Sequence, residues 1–231
     1  MGTSYQIFEK YKGKGSSLVK LECQQVIQTS QHRCFSFSVS FSEGIHLLTG
    51  PDTFAAGTLL CLLTGCHLPQ RGQILFLDYD IFLLGRAYQN HLAYFSRYPL
   101  FPGSFPLRHF LIYSGLLQRM SPELAQEKAG RILDQLQLSA YASCPLEQLP
   151  KELRRRVVLA NTLFSEAPVY LLRRPFALAA PEDRPWLTAR LEAIRQSKIV
   201  VLSEPDPSVL SGVPCQVYRL ENGAIQEWGR V

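Results

Sequence analysis

The residues best placed to do chemistry lie at one junction. A short apolar run, Ile45 to Thr49, ends at Gly50-Pro51 and leads into an apolar helical stretch, Thr58 to Leu68. A strand running into a helix is where α/β folds hold phosphate. Glycines let backbone amides wrap the anion, a lysine neutralises it, and a hydroxyl holds magnesium. The junction reads Gly50-Pro51-Asp52-Thr53-Phe54-Ala55-Ala56-Gly57-Thr58, and only Gly50 and Thr58 suit that task. Ala55 stands for the second glycine, Ala56 for the lysine and Gly57 for the first hydroxyl. No lysine occurs between Lys20 and Lys128, so no shift of frame supplies one. Other reactive side chains are dispersed. His32, His46, His67, His91 and His109 form no set with carboxylates at ligand spacing, so no metal site is expected. The six cysteines (23, 34, 61, 66, 144 and 215) show neither CxxC nor zinc spacing and read as small buried hydrophobes.

The elements that position this junction follow from periodicity. Leu18 to Ile27 is strand-like. Phe35, Phe37, Val39 and Phe41 alternate with serines, the period of two of a half-buried strand, so the fold opens with antiparallel sheet. Gln70-Arg71-Gly72 turns the chain into a strand from Gln73 to Leu77. Ser121-Pro122-Glu123 is a helix start, and Ala125, Ala129, Ile132, Leu133 and Leu136 share one face. Pro150 opens a helix through Phe164. Two apolar strands, Val169 to Leu172 and Ile199 to Ser203, flank a helix from Pro181 to Gln196. A hairpin, Val217 to Leu220 and Ala224 to Trp228, turns at Asn222-Gly223. Strands alternating with helices, and continuous apolar late strands, predict a largely parallel sheet covered on both faces. Helical sequence at about 106–148 interrupts the alternation and reads as a subdomain.

Composition narrows the class. At roughly 150 residues per domain, 231 residues make one large domain or a core with a subdomain. With 46% hydrophobic and 19% charged residues, a disordered or fibrous chain is excluded. Unbroken apolar runs such as Leu59 to Leu63 fall far short of the ~20 residues of a spanning helix. Residues 1–17 read as a flexible basic leader carrying Lys10, Lys12 and Lys14. That segment lacks the apolar core of a secretion signal, and the scattered free thiols then suggest a reducing cytosol. The net charge of +5 permits contact with a membrane surface or nucleic acid but demands neither, and no nucleic-acid partner is expected. Arg154 to Arg156 read as a solvated helix surface.

In order and interval, these segments resemble the nucleotide-binding subunit of ABC transporters over about residues 18–231. GIHLLTGP followed by TLLCLLTGCHLPQRGQILF resembles that family's first strand, P-loop helix and next strand. AYFSRYPLFPGSF resembles the segment around its Q-loop, with Arg97 where the glutamine belongs. LEQLPKELRRRVVLANTLFSEAPVYLL resembles its signature motif, following helix and Walker B strand, IVVLSEPDP the strand to its switch histidine, and YRLENGAI its terminal hairpin. The resemblance implies an α/β, P-loop NTPase-like core with a parallel sheet, an N-terminal antiparallel β subdomain and a helical subdomain.

The chemistry departs from the family's at each motif. The signature Leu-Ser-Gly-Gly-Gln is here Leu149-Pro150-Lys151-Glu152-Leu153. The Walker B aspartate and the adjacent glutamate fall on Arg173 and Arg174, the switch histidine on Pro205, and the D-loop aspartate on Ala180 or Ala179. No aromatic stands near Gln28, where the family stacks the base. A carboxylate orients magnesium and another polarises the attacking water, and guanidiniums do neither. Three readings are open for Arg173 and Arg174: a solvated strand end, a filling of the magnesium and phosphate space by pairing with Asp52 or Glu204, or an anion site. The resemblance therefore implies a catalytically inactive subunit without a cofactor. It would dock on an integral membrane permease at the inner, cytoplasmic face of a bacterial membrane, as a homodimer or beside another ATPase subunit. Arg97, Tyr98, Phe101 and Phe105, in an aromatic-rich segment, are the candidate contact residues. The alternative is a soluble interaction scaffold that uses the same fold outside any transporter.

Overall fold

The computed structural model describes residues 19–96, 103–118 and 120–230. Arg97, Tyr98, Phe101 and the leader lie outside the described residues. The chain runs through β1 (Leu21–Ser30), β2 (Arg33–Phe41), β3 (Gly44–Thr49), α1 (Thr53–Leu63), β4 (Arg71–Phe76) and β5 (Tyr79–Asp80). Two single turns, α2 (Ile81–Leu84) and α3 (Arg86–Gln89), lead to β6 (Leu92–Phe95), and then to α4 (Leu107–Leu117), α5 (Pro122–Gln135) and α6 (Lys151–Leu163). β7 (Val169–Arg173), α7 (Pro175–Leu178), α8 (Arg184–Ile194), β8 (Ile199–Ser203), β9 (Gln216–Glu221) and β10 (Ala224–Arg230) complete it.

The strands form a single sheet in the order β5-β4-β1-β2-β10-β9-β3-β8-β7-β6. β9, β3, β8, β7 and β6 pair in parallel, while β5, β4, β1 and β2 pair antiparallel, so the sheet is mixed as the alternating sequence pattern predicts. Continuous apolar strands bury both faces, with successive residues facing opposite ways. Val169 and Leu171 pack with α1 and the phenylalanines of β2, whereas Tyr170 and Leu172 pack with α6 and α8. The Asn222-Gly223 turn takes φ of 52° and 79°, the left-handed pair that matches the strand twist of a tight hairpin.

Boundaries differ from expectation where polar caps act. The first helix starts at Thr53 rather than Thr58 because Asp52 caps it, and it stops at Leu63, where the Thr64 hydroxyl bonds the Cys61 carbonyl at 2.6 Å and Gly65 turns with φ 71°. β1 carries a bulge at Gln25 (φ 49°) that shifts its register between Cys23 and Val26. The helix expected from Pro181 begins as a short 3-10 turn, with α8 proper starting at Arg184.

α4 and α5 approach closely at Gly115, where a Cβ would lie 2.9 Å from that of Ala125. The face of α5 read from the sequence, Ala125 to Leu136, is buried as expected. Lys128 is buried with it, 1% exposed, and its ammonium donates to Gln118 Oε1 at 3.1 Å. Burial pushes Lys128 down to about 8, opposed by Glu166 and reinforced by Arg131. Because the unfolded lysine keeps its proton up to its ordinary value of 10.5, stability should rise as pH climbs from 8 to 10.5. Lys128→Met should remove that rise and stabilise the fold at pH 7 by ~2 kcal/mol. Urea unfolding at pH 7 and at the two ends of the window checks both outcomes.

Candidate functional site

The β3–α1 junction is built around one carboxylate. Gly50 enters with φ 116°, and a Cβ there would meet the Leu220 carbonyl at 2.5 Å, so β9 leaves room only for glycine. Asp52, 7% exposed, caps α1: its Oδ1 accepts from the Ala55 amide at 2.9 Å. Its Oδ2 accepts from the Arg33 guanidinium. Arg33 follows the Gln31-His32 turn and lies 5.3 Å from the centre of the Phe35 ring, which packs on Phe54 at 5.6 Å. The positive end of α1, where a phosphate would sit, therefore faces the chain's own carboxylate. Ala55 and Ala56 are buried in the helix against the sheet.

Across the junction, β7 ends in Arg173 and Arg174. The expected pairing of either with Asp52 or Glu204 is not what forms. Arg33 takes Asp52, because the β1–β2 hairpin carries it onto the junction. Glu204, 3% exposed, accepts from the Phe176 and Ala177 amides at 2.6 and 3.1 Å and so caps α7. Burial pushes its carboxyl up to about 7 against those two bonds and the charges of Arg174 and Arg184. Arg174 is left-handed (φ 54°), its amide donates to the Ser203 carbonyl at 3.0 Å, and its buried Nε has no partner among the described residues. Arg173 lies across α1 at Gly57, where a Cβ would stand 2.5 Å from its Nη2. The absence of a side chain at Gly57 is what makes room for the guanidinium. Between Gly50, Asp52, Ala56, Arg173, Arg174 and Glu204 there remains a cavity of about 10 Å³, the space of a single water.

The other expected positions scatter around this centre. Thr58 donates to the Phe54 carbonyl at 3.0 Å, and the Pro205 carbonyl accepts from the Thr49 hydroxyl at 3.2 Å. Pro51 is exposed beside Gly50. Pro150, Lys151 and Glu152 are exposed at the start of α6, while Leu149 and Leu153 turn toward the core. Phe105 is half-buried, its ring edge-on to Tyr113 at 5.8 Å, and the exposed apolar residues beside it belong to α4: Tyr113, Leu116 and Leu117. The arginine cluster is not all solvated surface, since Arg156 forms an ion pair at 2.8 Å with the buried Asp183 ahead of α8. No local signal marked Arg33 or Asp183, because both act on segments distant in the chain.

Solved structures share this fold. The ATP-binding subunit of an ABC transporter superposes with TM-score 0.80 over 91% of this chain and 89% of that one, at 18% identity. The ATP-binding cassette MJ0796, solved as a dimer with ADP and Pi, superposes at 0.75 over 90% and 98%, at 15% identity. The fold is that of an ABC ATPase. In sequence the chain is similar to import ATP-binding proteins. It is 28% identical over 206 residues to the thiamine import ATP-binding protein ThiQ of Haemophilus influenzae, covering 84% of this chain and 90% of that protein. The spermidine/putrescine import ATP-binding protein PotA of Mycoplasma capricolum is 24% identical over 202 residues, and the chain spans 55% of its length. No family model matches the chain. Among the described residues no helix is long and apolar enough to cross a membrane.

Removing the shared carboxylate tests the centre. Asp52→Ala should cost about 2 kcal/mol by losing the helix cap and the ion pair together, and Asp52→Asn about half that, because asparagine still caps. Arg33→Met should add little in the Asp52→Ala background. A double-mutant cycle of denaturation midpoints measures the coupling.

Proposed function

We propose that the chain is a non-hydrolysing member of the ABC ATPase fold that serves a membrane transport complex as a structural or regulatory subunit. The observation that carries this reading is the Arg173 guanidinium lying against Gly57. Magnesium needs near-octahedral oxygen ligands at about 2.0–2.1 Å, and the groups at this place are guanidiniums and two carboxylates, Asp52 and Glu204, already bound within the chain. These residues do not fit a magnesium–triphosphate: Asp52 faces the helix end and the cavity is about 10 Å³. Phosphoryl transfer rests almost wholly on positioning and charge stabilisation, and removing such stabilisers costs several orders of magnitude in rate.

The similarity to import ATP-binding proteins supports a permease as the partner, at the cytoplasmic face of the membrane. The exposed apolar side chains of α4, with Leu117 at 66% exposure, offer the contact surface beside Phe105. Dimerisation with itself or with another ATPase subunit fits the same reading.

Purified chain should show no magnesium-dependent ATP binding by calorimetry and no hydrolysis above background. Micromolar, magnesium-dependent binding would overturn the proposal. In cells the chain should sediment with membranes, and Leu117→Asp should release it without lowering its melting temperature. A chain that stays in the soluble fraction in both forms would point to the scaffold reading.

A further inference from the structure

On the outer flank of α1 lies a second cavity, about 220 Å³, separated from the first by Arg173. It is smaller than the ~300–1,000 Å³ of a drug-sized ligand site. The Arg173 guanidinium lines it and makes no ion pair among the described residues. His67 stands on the same wall, its Nδ1 3.3 Å from the Cys61 sulfur. Burial pushes the Cys61 thiol up, so it keeps its proton at neutral pH beside that nitrogen. With Nδ1 engaged, the ring's Nε2 has no hydrogen-bond partner among the described residues and is left for a ligand. Ser30 adds a hydroxyl. Gln28 spends its amide donor on the Thr29 carbonyl at 3.1 Å, which leaves its buried Oε1 without a partner. The cavity thus gathers a fixed cation, a ring nitrogen, a hydroxyl and one acceptor in need of a proton.

We propose that this cavity binds a small phosphoryl anion without a metal, with Arg173 as the fixed countercharge. Hydrogen phosphate matches the set, since it offers several acceptor oxygens and one P–OH donor. The guanidinium, a protonated His67 Nε2 and the Ser30 hydroxyl satisfy the acceptors, and Gln28 Oε1 takes the P–OH. Sulfate has the same shape but carries no proton at neutral pH, so it leaves that carbonyl unpaired. A buried acceptor without a donor is the kind of mismatch that separates ligands of equal size. The inference goes beyond the transport role and stands whether or not the chain docks on a permease.

The test is a titration of the full chain, in EDTA, with sodium phosphate, sodium sulfate and glycerol 3-phosphate to about 10 mM, read as thermal shift and by calorimetry. Phosphate should stabilise the chain without magnesium and bind at least about tenfold more tightly than sulfate. Arg173→Gln and the exposed-site variant His67→Ala should each weaken phosphate about tenfold or more, with far-ultraviolet circular dichroism unchanged for His67→Ala. Gln28→Leu should abolish the preference over sulfate. Glycerol 3-phosphate binding as tightly as phosphate supports an esterified source, and weaker ester binding supports the free anion. Absence of any shift, or phosphate binding by Arg173→Gln and His67→Ala as tight as by the unaltered chain, would overturn the inference while leaving the transport reading in place. Phosphate binding that requires magnesium would overturn it as well.

Discussion

The Asp52 carboxylate has two obligations. One oxygen satisfies an amide at the start of α1 and the other holds Arg33 from the β1–β2 hairpin. An α-helix begins with amides that have no intrahelical acceptor, and its dipole favours negative charge there. A nucleotide phosphate would meet both needs, and here a side chain does. Because the cap is internal, Thr53 to Gly57 are already helical. Ala55 and Ala56 are accordingly packed against the sheet rather than looped around a ligand. The same ion pair ties the antiparallel strands to the parallel core, and it sits next to the Phe35–Phe54 contact that seals that seam.

The other charges at the junction follow from that occupancy. With Asp52 committed to Arg33, the arginines ending β7 have no carboxylate in hydrogen-bond contact among the described residues. Glu204 is drawn to the amides at the start of α7, so it bonds backbone rather than guanidinium. The result is a carboxyl shifted toward neutrality beside a guanidinium whose Nε is unpaired. Arg173 escapes by crossing α1 at its one residue without a side chain, and it reaches the flank cavity. Gly57 and Arg173 are thus complementary: a side chain at the first would displace the second.

Away from the junction, the helices answer to packing. Close approach of α4 and α5 at Gly115 buries the apolar face of α5 and carries Lys128 inward with it. The buried ammonium keeps one amide acceptor, Gln118 Oε1, and its pKa falls because burial outweighs the attraction of Glu166. The apolar side chains left over on α4 face outward as one surface.

What the sequence determined by itself was whatever depends on neighbours a few residues away. The alternation of Phe35 to Phe41, the continuous apolar runs of β7 and β8, the buried face of α5 and the Asn222-Gly223 hairpin were all legible, because burial on one or both faces imposes a period that the chain must display. That no lysine stands between Lys20 and Lys128, and that two arginines follow the apolar run Val169 to Leu172, was equally legible, since it needs only the residue order. The tertiary structure alone decided which charges meet. Arg33 and Asp52 lie 19 residues apart and are joined only because a hairpin folds back over the junction. Arg173 meets Gly57, and Arg156 meets Asp183, because the sheet order brings distant segments together. Charge pairing carries no period along the chain: its range is a few ångströms in space, and sequence distance says nothing about it.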